Sequence, residues 1–158
     1  MELCYKPNLE GKVAVVIGGA GVLCKEFAKA MAACGAKVAI LGRTLSKAEA
    51  VAEEINAAGG VAIAVSVDVT NAESVNKAHE EVLASLGKCD ILINGAGGNN
   101  PRATTDNEYQ HEAKEGQKTF FDLDAAGVDF VFKLNFQGTL LPTQVFAKDM
   151  VERKCGNI

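Results

Sequence analysis

Residues 12–43 have the pattern of a strand, a glycine-rich turn, a helix and a second strand, which constrains the fold more than any other feature. Residues 12–17 are a short apolar run rich in β-branched side chains, typical of a strand buried on both faces. The turn that follows contains Gly18, Gly19 and Gly21, and glycine lets the backbone turn tightly and approach another molecule closely. Residues 37–41 repeat the buried-strand pattern, so the stretch predicts a right-handed strand–helix–strand unit.

The helix of this unit should begin inside the glycine turn and end at Gly35. Its predicted apolar face consists of Val22, Phe27, Ala30, Met31 and Cys34. A helix N-terminus presents free N–H groups and the positive end of the helix dipole, so the turn predicts a phosphate-binding site. A P-loop is excluded because Cys24 and Glu26 stand where that motif needs glycine and serine or threonine. A tight connection without a ligand is the other interpretation of the turn.

Composition sets the class of protein. The 158 residues are enough for one compact domain, and a hydrophobic content of 48% is sufficient for a full core. The net charge of −4 gives no reason to expect a nucleic-acid or membrane partner. Five cysteines without a Cys-x-x-Cys pair favour reduced thiols and a cytoplasmic location, and two histidines make a metal site unexpected. The sequence shows neither a secretory signal nor an apolar run of membrane-spanning length.

After residue 43 the sequence continues to alternate helices and strands. Residues 46–58 predict a helix that packs inward through Ala48, Val51, Ala52 and Ile55. Asn71 is expected to cap the next helix, whose predicted apolar face is Val75, Ala78, Val82, Leu83 and Leu86. Residues 61–67 and 90–93 are predicted strands. This alternation predicts an α/β fold with a Rossmann-type, doubly wound parallel sheet.

The pattern changes after residue 97. Residues 98–121 are rich in turn-forming and charged side chains, and a loop of that length is usually functional or disordered. Residues 119–153 are predicted to be largely helical, with a bend or interruption at Gly138 and Pro142. Residues 155–158 look like the start of a fifth strand. We therefore expect the sheet to be truncated there, so that residues 1–158 are the N-terminal dinucleotide-binding part of a single domain.

Four segments in order along the chain resemble the short-chain dehydrogenase/reductase family: residues 9–21, 68–69, 94–97 and 134–139. Within that family, residues 96–99, 103–107 and 119–123 resemble the D-mannonate oxidoreductases, or fructuronate reductases. The resemblance implies an NAD(P)-dependent oxidoreductase whose full-length form interconverts D-mannonate and D-fructuronate or a similar sugar acid. It also implies a homo-oligomer.

The resemblance further implies that the cofactor binds at the glycine turn and at the ends of the later strands. The cofactor-binding candidates are Gly18, Gly19, Gly21, Val22, Leu23, Arg43, Asp68, Val69, Asn94, Gly95, Ala96 and Gly97. Asp68 is expected to accept from the adenine amino group, with Val69 against the ring. The second strand ends at Gly42, where a site that prefers NAD has a carboxylate, and Arg43 follows. A guanidinium at this position favours NADP, with NAD possible, and a solvated surface charge is the alternative.

The sequence also departs from the family pattern. Ile17 stands in place of a threonine and Cys24 in place of a glycine. The family's chemistry needs a serine on the fifth strand and a Tyr-x-x-x-Lys pair, and neither Tyr5 nor Tyr109 has a lysine four residues later. Asn135 is the one member of the usual catalytic set, holding a water in the proton relay, or alternatively a capping or kink-stabilising amide. We therefore expect this chain alone to be inactive, and a non-catalytic nucleotide-binding fragment or interaction module is the rival function.

The loop after residue 97 supplies the candidates for substrate binding. The resemblance implies a sugar acid, whose carboxylate is best bound by a planar, bidentate donor. Arg102 is expected to fold back over the nicotinamide for this purpose, while Asn99 and Asn100 bind sugar hydroxyls. A solvated loop charge is the alternative for Arg102.

Overall fold

The computed structural model describes residues 5–158 and contains one parallel sheet. Its strands are β1 (Val13–Ile17), β2 (Lys37–Gly42), β3 (Val61–Ser66) and β4 (Ile91–Asn94). They lie in the order β3-β2-β1-β4, and Ala14 of β1 pairs with both Val38 and Ile91. Every residue of β1 is buried, as its unbroken apolar sequence requires. The predicted α/β fold of Rossmann type is confirmed.

Residues 5–158 contain five α-helices: α1 (Val22–Ala33), α2 (Leu45–Ala57), α3 (Ala72–Ser85), α4 (Ala125–Phe132) and α5 (Gly138–Arg153). Helices α1 and α2 bury one face of the sheet, where Ala28 and Val51 belong to a common apolar cluster. Helices α3 and α5 bury the other face through residues such as Val82 and Phe146. The sheet is therefore wound on both sides, and its strand ends are left to form a site.

Helix α2 and the cap of α3 follow the sequence pattern closely. The four inward-facing residues predicted for α2 are all buried. The side chain of Asn71 accepts a hydrogen bond from the Ser74 N–H at 3.0 Å, as expected of an N-cap. These features depend on contacts within a few residues, which explains why the sequence predicts them.

The predicted apolar face of α1 is wrong in part. The structure buries Cys24 and Ala28, while Val22 and Phe27, both predicted to face inward, are 87% and 47% exposed. Small side chains let the helix approach the sheet closely, and this turns the bulkier Phe27 outward. Leu83 of α3, also predicted to face inward, is 40% exposed.

The C-terminal helical stretch runs from residue 125 to 153 with one interruption. Residues Lys133–Gln137 form a π-helical segment between α4 and α5. This observed interruption ends one residue before Gly138, whereas Pro142, the other predicted site, lies inside α5 and does not interrupt it. Such π segments arise where an extra residue is accommodated in a helix, and they are frequent at functional sites.

The remaining segments connect these elements. The loop between β4 and α4 contains three short 3₁₀ turns, Pro101–Ala103, Gln110–Glu112 and Phe120–Asp122. At the C-terminus, Asn157 pairs in parallel with Ile91, and its carbonyl accepts from the Leu92 N–H at 3.0 Å. The predicted start of a fifth strand is thus confirmed, and the structure places it beside β4. Among residues 5–158, none of the helices is long and apolar enough to cross a membrane.

Candidate nucleotide-binding site

The glycine turn after β1 packs directly against the loop after β4. Gly18 has a φ of 72°, and a Cβ there would lie 2.8 Å from the carbonyl carbon of Gly95. The Gly95 N–H in turn donates to the Ile17 carbonyl at 3.0 Å. This backbone bond joins the turn to the neighbouring strand at the position where Ile17 lacks the family's hydroxyl. Both glycines are required by the close approach of the two loops.

Cys24 fills the space that Gly95 leaves. A Cβ on Gly95 would overlap the Cys24 Sγ, so the cysteine and the glycine are complementary in size. Cys24 is buried, and burial raises the pKa of its thiol. The departure from the family's glycine at position 24 is therefore accommodated by the glycine at position 95.

The N-terminus of α1 has no internal compensation for its positive end. Its N-cap is Gly21, which offers no side chain, and the first turn contains no acidic residue. Val22 and Leu23, the first two helical residues, are 87% and 71% exposed. Their N–H groups lack intrahelical acceptors by the geometry of an α-helix, so this end can bind an anion.

A cavity of about 310 Å³ opens beside this turn at the carboxyl edge of the sheet. Seven predicted cofactor residues line it: Gly18, Gly21, Arg43, Val69, Gly95, Ala96 and Gly97. Gly19, Val22, Asp68 and Asn94 do not line it but are adjacent in sequence to residues that do, and Leu23 lies two residues from the lining residue Gly21. The turn after β1, the end of β2 and the loop after β4 thus meet at one place, as the topology of a doubly wound sheet requires.

Lys47 is a lining residue that the sequence analysis missed. It lies in the first turn of α2, four residues after Arg43. This spacing of two cations is the sequence signal that could have indicated that Lys47 lies near Arg43. Thr44 lies between them and also lines the cavity, and its side chain makes no capping hydrogen bond. The lining contains two cations and no carboxylate, which makes this end of the cavity suited to an anion.

Asp68 is held by its own turn. Its Oδ1 accepts from the backbone N–H of Thr70 at 2.9 Å and from the Thr70 hydroxyl at 2.8 Å. These bonds hold the pKa of the Asp68 carboxyl below its usual value, and the charge of Arg43 lowers it further. Val67 and Val69 on either side of it line the cavity, whereas the carboxylate lies beyond the lining. Its contact with an adenine stays a prediction.

Asn135 binds the loop after β4 through its side chain. Its Nδ2 donates to the Gly98 carbonyl at 2.7 Å and to the Val131 carbonyl at 2.8 Å, and its Oδ1 accepts from the Gly98 N–H at 3.1 Å. Both amide hydrogens are therefore used by the backbone, in the manner of the kink-stabilising alternative. The role of Asn135 in a proton relay stays a prediction. In such a relay Asn135 could act only as a hydrogen-bond acceptor, through Oδ1 or its backbone carbonyl oxygen.

Arg102 does not reach over the cavity as predicted. Its guanidinium forms an ion pair with Asp124, the N-cap of α4, and its Cβ packs where a side chain on Gly127 would collide. The Ala126 N–H and Arg102 together lower the pKa of the Asp124 carboxyl. The short distance along the chain from Asn94 would allow Arg102 to reach the cavity. Asp124, the acidic cap of the next helix, binds its guanidinium instead.

Asn99 and Asn100 use their side-chain oxygens to shape the loop. Asn99 Oδ1 accepts from the Asn100 N–H at 2.8 Å, and Asn100 Oδ1 accepts from the Arg102 N–H at 2.9 Å. Their amide nitrogens are the groups left to donate to a sugar hydroxyl, so a substrate role for them stays a prediction. No group of three histidine, cysteine or acidic side chains suited to a metal ion occurs in the described part of the chain.

The sequence is similar to curated proteins over most of its length. A profile of the short chain dehydrogenase family matches residues 12–158. An uncharacterised oxidoreductase of Haemophilus influenzae is 48% identical over 159 residues, which cover 100% of this chain and 56% of the relative. The uncharacterised oxidoreductase UxuB of Bacillus subtilis is 52% identical over 145 residues, which cover 92% of this chain and 52% of the relative.

Solved structures of short-chain oxidoreductases are also similar to this chain. A Haemophilus influenzae protein provisionally described as a D-mannonate oxidoreductase, with bound NAD, is 50% identical with a TM-score of 0.88. The match covers 91% of this chain and 52% of that one. A metagenomic short-chain oxidoreductase in complex with NADP is 30% identical with a TM-score of 0.75, covering 94% of this chain and 62% of that one.

The chain belongs to the short chain dehydrogenase family. It spans about half the length of the curated relatives it matches.

The residues around the cavity fit a nicotinamide dinucleotide. The uncapped N-terminus of α1 can take the pyrophosphate, and the glycines at positions 18 and 21 leave its backbone accessible. A Cβ built on Gly42 would meet no atom within 4 Å, so the end of β2 is open where the adenosine ribose lies in this fold.

Proposed function

We propose that residues 1–158 are the dinucleotide-binding part of a single short-chain dehydrogenase domain that uses NADP. The observation that carries the cofactor assignment is that Arg43 and Lys47 both line a cavity whose lining has no carboxylate. A ribose 2′-phosphate carries about two negative charges, and it is stabilised where two cations face it without competition. An acidic residue at the end of β2, which would favour NAD, is replaced by Gly42.

The cofactor supplies the hydride, and this chain supplies the binding. The N-terminus of α1 holds the pyrophosphate, while Arg43 and Lys47 hold the 2′-phosphate and Thr44 offers its hydroxyl as a donor. Val69 and Asp68 lie toward the adenine. Residues 95–97 bring backbone to the nicotinamide half.

We further propose that the whole protein interconverts D-mannonate and D-fructuronate or a similar sugar acid. The support is the similarity to a Haemophilus influenzae protein with that provisional description, together with the resemblance in the loop after β4. Arg102, which is paired with Asp124 in this structure, is proposed to bind the substrate carboxylate, and Asn135 is proposed for the proton relay. A cytoplasmic location agrees with the free thiols of Cys24, Cys34, Cys89 and Cys155.

NAD is the second candidate cofactor, and a specific observation favours it. The solved structure that is 50% identical to this chain contains bound NAD. If NAD is the cofactor here too, Arg43 and Lys47 are solvated charges at the rim of the cavity and have no phosphate to bind.

The two candidates are distinguished by titrating the protein with NADP and NAD. We expect Arg43→Ala to weaken NADP binding by about 1.5–3 kcal/mol, the scale of a hydrogen bond to a charged group, and Lys47→Met to weaken it by a similar amount. Binding of NAD should change little, since it lacks the 2′-phosphate. Lys77→Met, which removes a lysine paired with Glu73 on α3, is the control.

Equal losses for both nucleotides would contradict the NADP assignment. The substrate class is tested separately in the whole protein, by following NADPH oxidation with D-fructuronate and with the neutral ketose D-fructose. Equal rates with the two compounds would contradict the sugar-acid proposal and leave the cofactor proposal intact.

A further inference from the structure

Two side chains of the long C-terminal helical stretch hold the loop after β4 at both ends. Asn135, in the π segment, binds the backbone of Gly98 with hydrogen bonds of 2.7 and 3.1 Å. Eight residues later, Thr143 of α5 binds the side chain of Asn94, at the end of β4, at 3.0 Å. Residues 95–97 lie between the two ties, and we call them the loop wall because all three line the cavity.

The direction of the Thr143 bond is fixed by chemistry. A threonine hydroxyl has one hydrogen, and Thr143 donates it to the Thr139 carbonyl at 2.8 Å. The Thr143 oxygen can therefore only accept from Asn94, which sets Nδ2 of the Asn94 amide toward α5.

The opposite atom of the same amide has no partner. Asn94 Oδ1 is buried and accepts no hydrogen bond in the described part of the chain. The bond to Thr143 is thus the one side-chain hydrogen bond that Asn94 makes among residues 5–158. When the bond to Thr143 is lost, no other side-chain hydrogen bond within residues 5–158 holds the orientation of the Asn94 amide.

The loop wall has little freedom to adjust on its own. A Cβ on Gly97 would lie 2.7 Å from Asn135 Oδ1, and Gly95 already contacts Cys24. A shift of Asn94 is therefore transmitted along the loop wall to the cavity.

We infer that Thr143 is a positioning residue for the nucleotide, acting through Asn94 on the loop wall. This inference rests on the proposed nucleotide-binding function. Thr143 does not line the cavity, so its effect on binding must pass through the loop. Because the loop wall faces the half of the cofactor that NAD and NADP share, both nucleotides should respond equally.

The test compares Thr143→Val with Thr139→Val. Thr139 is one helical turn earlier, and among residues 5–158 its hydroxyl bonds only a backbone carbonyl, that of Asn135 in the π segment, so it controls for the loss of a hydroxyl bonded to the helical backbone. We expect Thr143→Val to raise the Kd of NADP and of NAD about tenfold, the equivalent of about one net hydrogen bond, and Thr139→Val to change them less than about twofold. Thr143→Ser, which keeps the hydroxyl, should restore binding.

Two further measurements separate positioning from general stability. Hydrogen–deuterium exchange at the amides of residues 95–98 should accelerate in Thr143→Val but not in Thr139→Val. Asn94→Ala should raise both Kd values, and adding Thr143→Val to it should cost little more, because the two changes break the same bond. Asn94→Ala also tests the tie if Thr143→Val does not fold.

Unchanged Kd values in Thr143→Val and Asn94→Ala, with binding by the wild-type protein intact, would overturn this inference alone. Additive losses in the double variant would overturn it as well. Failure of the wild-type protein to bind either nucleotide would overturn the proposed function and this inference with it.

Discussion

Charged side chains are arranged in opposite ways at the two ends of the parallel strands, which we call the amino edge and the carboxyl edge of the sheet. At the amino edge, the carboxylates of Asp90 and Asp149 are buried and each accepts hydrogen bonds from the protein. Asp90 accepts from the Val13 N–H at 2.9 Å and from Arg153 at 2.7 Å. Asp149 accepts from the Cys89 N–H and from His79, both at 3.1 Å.

At the carboxyl edge, Arg43 and Lys47 line a cavity and form no ion pair with the residues that the structure describes. The charged side chains at the two edges therefore have different roles. Charges that satisfy one another connect α5 to the sheet, and cations left without a protein partner are available to a ligand. Cys89 belongs to the structural edge, since burial raises the pKa of its thiol to about 12 and leaves it unreactive.

The largest expected effect comes from opening the amino edge. Arg153 donates to Asp90 and to the Cys89 and Asp149 carbonyls, so Arg153→Met removes three contacts and leaves a buried carboxylate poorly paired. We expect the free energy of unfolding to fall by about 2–3 kcal/mol, below the range for fully buried pairs because Arg153 is partly exposed. Urea unfolding measures this loss, and nucleotide affinity should not change.

Lys88→Met is the matched control for Arg153→Met. Lys88 pairs with Glu152 at 2.7 Å on the same edge, but both side chains are exposed. Its removal should cost less than about 1 kcal/mol. An equal loss in the two variants would mean that the buried network contributes no more than a surface ion pair, and the contrast between the edges would fail.

A smaller effect is expected from adding a charge at the carboxyl edge. Gly42→Asp introduces a carboxylate into open space, so the fold should tolerate it. We expect NADP affinity to fall about tenfold, since the carboxylate repels the 2′-phosphate and competes for Arg43 and Lys47, whereas NAD affinity holds or improves. Gly42→Asn has nearly the same size without the charge and should leave the ratio of the two affinities near that of the wild type.

A fall in NADP affinity that is equal in the Asp and Asn variants would assign the effect to bulk. It would then contradict the view that this edge is selected for free cations.

The smallest expected effect is a pH dependence of the amino edge. Burial raises the pKa of the Asp90 carboxyl, but the Val13 N–H, Arg153 and Lys12 outweigh it, and the net pKa is below the usual value. A carboxyl whose pKa is lowered on folding stabilises the protein above its unfolded pKa of about 3.9, and this stability is lost as the pH falls through the folded pKa. The free energy of unfolding should therefore decline below about pH 4.

Asp90→Asn should flatten that decline by no more than about 1.5 kcal/mol, the contribution of one charged hydrogen bond. Urea unfolding from pH 7 to pH 3 measures the slope. Glu73→Gln, which removes one partner of an exposed ion pair on α3, is the control. An acid limb with the wild-type slope in Asp90→Asn would show that Asp90 is not its source.

The sequence by itself determined the order of strands and helices along the chain, the glycine turn after β1 and the buried face of α2. Each depends on local patterning: a run of β-branched residues in β1, glycines at fixed offsets in the turn, and a helical repeat of small apolar side chains. The Asn71 cap and the start of a strand at Asn157 were predicted for the same reason.

Only the tertiary structure decided which side chains meet. It rotated Phe27 of α1 outward, brought Lys47 into the cavity, and tied Asn135 to Gly98 across 37 residues of sequence. It also paired Arg102 with Asp124 in preference to an open site. Contacts between residues far apart in sequence depend on how helices pack and on which partner competes best for a charge, and the local pattern contains neither.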